Sequence, residues 1–343
     1  MSEIALYRKY RPATFKDVIG QDQVVAALKG AIEEENVGHA YLFYGSRGTG
    51  KTSIARIFAK ELGAADVDIH EIDAASYTGV DHIRALREEA QNLPFAGSRS
   101  VYIIDEVHML SKSAFNAFLK MLEEPPSHVV FILATTELEK VPDTVQSRCQ
   151  VFTFKRPTAK VVADMVAKVA KAEGYTLEKA SAELIGLLAG GSFRDAHSIL
   201  QKVIASSSDK KLTVEEVETI TGAPKGALIA QVIEGLSKGD ANAALTAVSA
   251  AVGDNADMEV FTSILLDRVR VLLLLRYAPD FGKKLAEDLT DDVRESLVVF
   301  AKDTGSKINS DTLKKLIAAA IDSSRAPLPQ LPLEVAIMEL VGS

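Results

Sequence analysis

The sequence predicts an α/β domain, a parallel sheet flanked by helices on both faces, followed by two all-helical domains. Three observations carry this. Apolar runs at Ala40–Tyr44, 69–72, 101–104, 129–134 and 151–154 alternate with helix-spaced segments, the sequence form of a parallel sheet covered on both sides. The stretch Gly45-Ser46-Arg47-Gly48-Thr49-Gly50-Lys51-Thr52 fits the phosphate-binding G-x-x-x-x-G-K-[ST] pattern at every fixed position. It lies between the first apolar run and a segment with Ile54, Ile57, Phe58 and Leu62 at helix spacing, which is the strand–loop–helix context the motif needs. Beyond Arg156-Pro157 the strand signal stops. The expected division is 1–156 for the α/β domain, 157–222 for a small helical domain closed by Gly222-Ala223-Pro224, and 223–343 for a second helical domain.

Composition bounds the function. A chain of 343 residues, 47% hydrophobic and 25% charged, has ordinary globular make-up and room for two or three domains. It has no Trp and only 6% aromatics, which speaks against wide aromatic platforms for stacking single strands. A net charge of −8 argues against a surface coated in nucleic acid, though it leaves room for a local basic face. Met1-Ser2-Glu3-Ile4-Ala5 lacks an apolar signal core, and runs such as 129–134 and 271–275 are too short to span a bilayer. A soluble, cytoplasmic protein without a membrane role is expected. Cys149 is the single cysteine, which excludes internal disulfides, and the six histidines show no metal-ligand spacing, so no zinc site is expected. The Ser206-Ser207-Ser208-Asp209-Lys210-Lys211 stretch reads as a solvated turn, and Pro327, Pro329 and Pro332 break the pattern before a last helix from about Leu333.

The phosphate loop calls for a nucleoside triphosphate with Mg²⁺. Backbone N–H groups of Gly45, Ser46, Arg47, Gly48, Thr49 and Gly50 would turn toward the phosphates, where the helix N-terminus begun by Lys51, Thr52 and Ser53 adds its dipole. Lys51 would reach the β/γ-phosphates and the Thr52 hydroxyl would ligate magnesium. The buried strand 101–104 ends in Asp105-Glu106-Val107-His108, and carboxylates at the C-terminal end of a parallel strand sit where ligands bind. Asp105 is the expected magnesium carboxylate; Glu106 is the candidate base that orients or deprotonates the attacking water. An N-capping Asp and a solvated Glu would be the plainer alternative without the loop. His108 reads as a packing or hydrogen-bonding residue. The strand Phe131-Ile132-Leu133-Ala134 ends in Thr135 and Thr136, of which Thr136 is preferred to hold the lytic water; strand composition alone would also place threonines there.

Three further motifs bring a family into view. Tyr7-Arg8-Lys9-Tyr10-Arg11-Pro12 with Val18-Ile19-Gly20-Gln21 resembles the adenine-side box of AAA+ clamp loader subunits. Ser147-Arg148-Cys149 is similar to their S-R-C signature, and Gly191-Ser192-Phe193-Arg194-Asp195 to their second sensor. Within that group, Ala114-Phe115-Asn116-Ala117-Phe118-Leu119-Lys120-Met121-Leu122-Glu123-Glu124-Pro125-Pro126, the run 131–137 and Lys140-Val141-Pro142 resemble the gamma/tau subunits of the bacterial DNA polymerase III clamp loader. The likeness is dense over 4–222 and thinner beyond, through Leu331-Pro332-Leu333-Glu334-Val335-Ala336. It implies an AAA+ P-loop ATPase domain, a helical lid over 157–222 and a helical collar over 223–343. It implies an ATP-driven motor that works in a pentamer with delta, delta-prime and further gamma/tau copies, opening the sliding clamp and loading it onto primer–template DNA. It also implies that Tyr7, Arg8, Arg11, Pro12, Val18, Ile19 and Gln21 line the nucleotide site. Arg148 would serve the neighbouring subunit's ATP, and Arg194 would contact the γ-phosphate.

Two departures stand out. Gly63 runs almost directly into Ala65-Asp66-Val67-Asp68-Ile69, with none of the four cysteines of the family's zinc module, so that module's role is not carried over. The sequence also ends at Ser343, without the long tail of tau forms; a short gamma-like product and a trimmed chain are both open. For DNA, Arg84 and Arg87 after the turn at 76–79, and Ser111 with Lys112, could face phosphates; a solvated face paired to Glu88 or Glu89 serves equally well. The competing readings are a replication factor C-type small subunit, a branch-migration motor, a catalytically dead scaffold, and a protein-remodelling ATPase. The Glu-Glu-Pro-Pro wording disfavours the first two, intact Lys51, Thr52, Glu106 and Arg194 the third, and the lack of an apolar pore loop the fourth.

Overall fold

Five short segments pair into one parallel sheet: β1 (Ala40–Tyr44), β2 (Ile69–Asp73), β3 (Ser100–Asp105), β4 (Val129–Thr135) and β5 (Gln150–Thr153), in the order β2-β3-β4-β1-β5, with the polar-containing β2 and β5 at its edges. The computed structural model describes residues 4–76, 79–287, 289 and 291–342; Tyr77 and Thr78 of the expected 76–79 turn lie outside the described residues. Register is set by Leu42 opposite Leu133 and Val151, and by Ile104 opposite Leu133. β1 and β4 are buried along their lengths, the reason they read as unbroken apolar runs rather than alternating ones. Leu42, Ile104, Phe131 and Leu133 pack on one face; Tyr41, Phe43, Ile103 and Ile132 pack on the other.

Helices α1 (Leu6–Lys9), α2 (Asp22–Glu33), α3 (Lys51–Glu61), α4 (Val80–Glu89), α5 (Lys112–Glu123) and α6 (Asp143–Gln146) connect and cover the sheet. α3 brings Ile54, Ile57 and Phe58 to the face shared by Tyr41, and the Tyr41 and Phe58 rings meet edge to face at 4.9 Å. α5 brings Phe115, Phe118 and Leu122 to the opposite face. Ser111 caps α5 by accepting from the Ala114 N–H, the structural task of a residue also considered for DNA contact.

The chain divides into two compact units, Met1–Val161 with Gly191–Ser198, and Val162–Gly190 with Ile199–Ser343. The helices that follow are α7 (Ala159–Ala172), α8 (Lys179–Leu188), α9 (Phe193–Ser206) and α10 (Val214–Thr221), then α11 (Gly226–Lys238), α12 (Ala241–Gly253), α13 (Met258–Tyr277), α14 (Pro279–Ala286), α15 (Asp291–Lys302), α16 (Ser310–Ser323) and α17 (Leu331–Gly342). The sequence carries no strand signal after 157, yet β6 (Thr176–Leu177) and β7 (Lys211–Leu212) form a two-residue parallel ladder within the second unit. Two residues are too few to show a period, and Lys211 sits at the end of the polar run read as a turn. Pro332 lies inside the first turn of α17 rather than before it, where a missing N–H costs nothing. The second unit's core gathers Val232, Leu236, Phe261, Leu265, Leu272 and Ile337 from α11, α13 and α17. Among the described residues no helix is long and apolar enough to cross a membrane.

Candidate active site

The phosphate loop links β1 to α3, and its shape depends on glycine. Gly48 and Gly50 have φ of 76° and 98°, a region open to glycine at little cost. At Gly48 a Cβ would lie 2.0 Å from Ser192 Oγ, so that position is closed to any side chain. Lys51 is buried, and its ammonium donates to the Gly45 and Ser46 carbonyls at 2.7 and 3.0 Å. Burial lowers the Lys51 pKa, while Glu106 and Asp105 push it back up. An ammonium held inside such a loop is a cation placed where phosphate oxygens would come.

β3 supplies the acids. The Thr52 hydroxyl donates to Asp105 Oδ2 at 2.8 Å, and Asp105 Oδ1 accepts the Glu106 N–H at 3.0 Å. A hydroxyl and a carboxylate in contact are hard oxygen donors of the kind Mg²⁺ takes in nucleotide sites, so the residues fit that ion. Glu106 adopts φ 48° and ψ 45°, a left-handed conformation that costs a non-glycine residue of order 1–3 kcal/mol. Strain of this kind at the end of a central strand turns the Glu106 carboxylate toward β4, where the Thr136 hydroxyl donates to its Oε2 at 3.2 Å. The two threonines thus part ways. Thr135 is fully buried and tied to the Glu137 backbone and His108, whereas Thr136 touches the acid.

The remaining predicted residues group around the same unit. Gln21 is buried and holds Lys155 through both amide atoms, accepting its N–H at 3.1 Å and donating to its carbonyl at 2.7 Å; the Gln21 amide also reaches the Thr49 carbonyl at 3.4 Å. It ties the loop to the end of β5, a fixing role set beside the expected lining role. Val18 packs on the sheet's core and Ile19 is exposed, while Tyr7 and Pro12 are half-buried and Arg8 is exposed. Arg194, exposed near the start of α9, lies 6.0 Å from the Tyr7 ring centre. The Phe193 N–H donates to the Gly48 carbonyl, which fastens the start of α9 to the phosphate loop. Arg11 has its pKa lowered by burial and by Arg56, with Glu71 opposing, and then by Arg194 with Asp105 opposing. Arg56 itself pairs with Glu71. Within this chain Arg148 donates to Glu123 of α5 at 2.7 Å and to the Thr144 carbonyl at 2.9 Å. Arg84 pairs with Asp81 at 3.1 Å rather than with Glu88 or Glu89.

Sequence reading missed how much His108 joins. Its Nδ1 lies 3.0 Å from Thr135 Oγ1 and 3.5 Å from Glu106 Oε2, and its Nε2 lies 3.3 Å from Glu137 Oε1. The available signal was the histidine two positions past the strand-end acid. Arg56 and Glu71 were also unmarked; neither belongs to a motif.

Residues 63–158 match the family described as DNA polymerase III, delta subunit, and residues 212–343 match DNA polymerase III subunits gamma and tau domain III. The DNA polymerase III subunit gamma/tau of Mycobacterium tuberculosis is 34% identical over 98% of this chain and 62% of its own length. The DNA polymerase III subunit tau of Bacillus subtilis is 40% identical over 87% of this chain and 56% of its own. The chain therefore spans a little over half the length of these curated relatives. Among solved structures, the Thermotoga maritima RuvB Holliday junction branch migration motor superposes with a TM-score of 0.54 at 19% identity, over 90% of this chain and 98% of its own, a likeness of fold alone.

Proposed function

This chain belongs to the family of DNA polymerase III gamma/tau subunits, and we propose that it is an ATP-hydrolysing motor subunit of a bacterial clamp loader. The observation that carries the ATPase reading is the 2.8 Å contact between Thr52 and Asp105, which joins an intact phosphate loop to the acidic end of β3. Thr52 and Asp105 would hold magnesium, which supplies neutralising charge at the phosphate oxygens. Lys51 would exchange its two loop carbonyls for the β/γ-phosphates, and Arg194 would approach the γ-phosphate from α9. Glu106 would accept the proton of a water attacking the γ-phosphorus, with Thr136 fixing the position of its carboxylate. Phosphoryl transfer relies on positioning and charge compensation, and each of these side chains supplies one of the two.

Family membership supports the larger setting: a cytoplasmic pentamer with delta, delta-prime and further gamma/tau copies, acting on the sliding clamp and primer–template DNA. Arg148 would act on a neighbouring copy's ATP. Residues 1–156 would form the motor domain, 157–222 the lid and 223–343 the oligomerising collar. The test is ATP turnover by the purified chain with its loader partners, which should rise with primed DNA plus clamp and stay flat with unfolded polypeptide. Lys51→Ala should abolish binding of a fluorescent ATP analogue, because the loop then loses its main cation against the β/γ-phosphates. Undiminished affinity in that variant would overturn the nucleotide site.

A further inference from the structure

Two strand ends carry the reacting groups, and one side chain spans them. Glu106 stands at the end of β3 with a left-handed backbone, and its side chain is about a third exposed. Among the described residues its Oε2 meets the Thr136 hydroxyl at 3.2 Å and His108 Nδ1 at 3.5 Å. His108 sits two residues on, in the short turn Val107–Met109, with its side chain only 7% exposed. The ring is gripped from both sides. Nδ1 meets Thr135 Oγ1 at 3.0 Å and Nε2 meets Glu137 Oε1 at 3.3 Å, so the imidazole contacts residues on both sides of Thr136. Glu137 is held in turn by Lys140 at 2.7 Å, and its carboxyl is kept below the usual range chiefly by that hydrogen bond.

We propose that His108 is a positioning residue for the Glu106 carboxylate, clamping it to the Thr135–Glu137 segment so that the base and the Thr136 hydroxyl keep one fixed spacing. This rests on the reading of Glu106 as the water-directing base. The physical ground is that a carboxylate on a strained turn with a single remaining partner is free to swing into solvent. Misplacing a reacting group by about 1 Å costs roughly a hundredfold in rate. The buried imidazole opposes that swing by standing against Oε2, its ring kept in place by the contacts to Thr135 and Glu137 on the strand end that leads into Thr136.

The test compares His108→Ala, His108→Asn and His108→Gln in the full chain, in the assembly that gives the unmodified protein its full ATP turnover. His108→Ala should lower kcat roughly ten- to a hundredfold with the affinity for a fluorescent ATP analogue unchanged. Asn places an amide near the Nδ1 position, beside Thr135 and Glu106, and should restore most of the rate. Gln reaches only toward the Nε2 position and Glu137, and should not. Because His108 acts through Glu106, adding His108→Ala to Glu106→Gln should cost almost nothing further, a non-additivity that a merely structural role would not give. Additive losses, rescue by Gln instead of Asn, or an unchanged kcat in His108→Ala beside a crippled Glu106→Gln would overturn the clamp alone. Wild-type turnover in Glu106→Gln would remove the base reading, and the clamp with it. If His108→Ala does not fold, the Asn and Gln variants carry the same comparison.

Discussion

At the scale of single residues, Arg148 poses the sharpest question, because its contacts in this chain do not explain a place in a family signature. Its partner Glu123 is half exposed, and an ion pair of that kind contributes at most about 1 kcal/mol. Arg148→Ala should therefore change the melting temperature little and leave ATP binding by the single chain intact. If the guanidinium leaves Glu123 for the γ-phosphate on a neighbouring copy, the same variant should lose about 10³-fold or more of the assembled ATPase rate. Mixed assemblies with Lys51→Ala copies should localise that loss to the interfaces Arg148 faces. Full activity in the assembled variant, or loss of binding in the single chain, would assign Arg148 to the local pair. Much at this scale was legible: the loop residues, Asp105 and Glu106 declare themselves because backbone geometry and metal chemistry admit few residue types. What was not legible is long-range. Thr135 and His108 are separated by 27 positions and Gln21 and Lys155 by 134, and no spacing rule links them.

At the scale of elements, the inner strands β1, β3 and β4 were readable because a parallel strand covered on both faces must be apolar throughout, while the edge strands β2 and β5 are partly exposed and showed only short apolar runs. The two-residue ladder of β6 and β7 was not readable, because its pairing rests on backbone hydrogen bonds that ask nothing of the side chains. The segment between α4 and β3 was not legible for a different reason: a side chain far back in the sequence, Asp68, holds it. Asp68 is buried and accepts N–H groups from Phe95, Ala96 and Gly97 at 2.5, 3.0 and 2.6 Å. Burial raises its pKa, but the three amides, Gly97 foremost, outweigh that and hold it below the ordinary value, with His70 adding to the lowering. A depressed folded pKa adds stability that is present above the unfolded value near 4 and is lost as pH falls through the folded one. Asp68→Asn should destabilise the chain at neutral pH and flatten the acid limb of its stability curve. Equal acid sensitivity in the variant and the unmodified protein, measured by denaturant titration from pH 6 to about 3, would show that Asp68 is not a source of it.

At the scale of the whole molecule, the two units have separate cores, and the residues proposed for the nucleotide site all lie in the first. The eight residues 191–198 group with that first unit although they fall in the stretch expected as a lid, and the Phe193 to Gly48 hydrogen bond gives the physical reason. Ligand binding should accordingly stabilise the first unit, and the single cysteine can report it. Cys149 packs against the sheet face lined by Phe131 and Leu133, and burial pushes its thiol pKa up to about 12. At pH 8 such a thiol is ionised about once in 10⁴ molecules, against roughly one in four for a free cysteine. Cys149 is only partly buried, so labelling by an aromatic disulfide reagent should be slow in the native protein, and nucleotide tests whether it proceeds through opening of the first unit. Saturating Mg²⁺–ATP at about a hundred times its Kd stabilises the closed form by about 2.7 kcal/mol, which should slow labelling about a hundredfold. Lys51→Ala should label at the unliganded rate with or without nucleotide. If ATP leaves the labelling rate of the unmodified protein unchanged while binding is demonstrated separately, Cys149 is reached by a local opening at α6 and β5, and the first unit does not open as a whole.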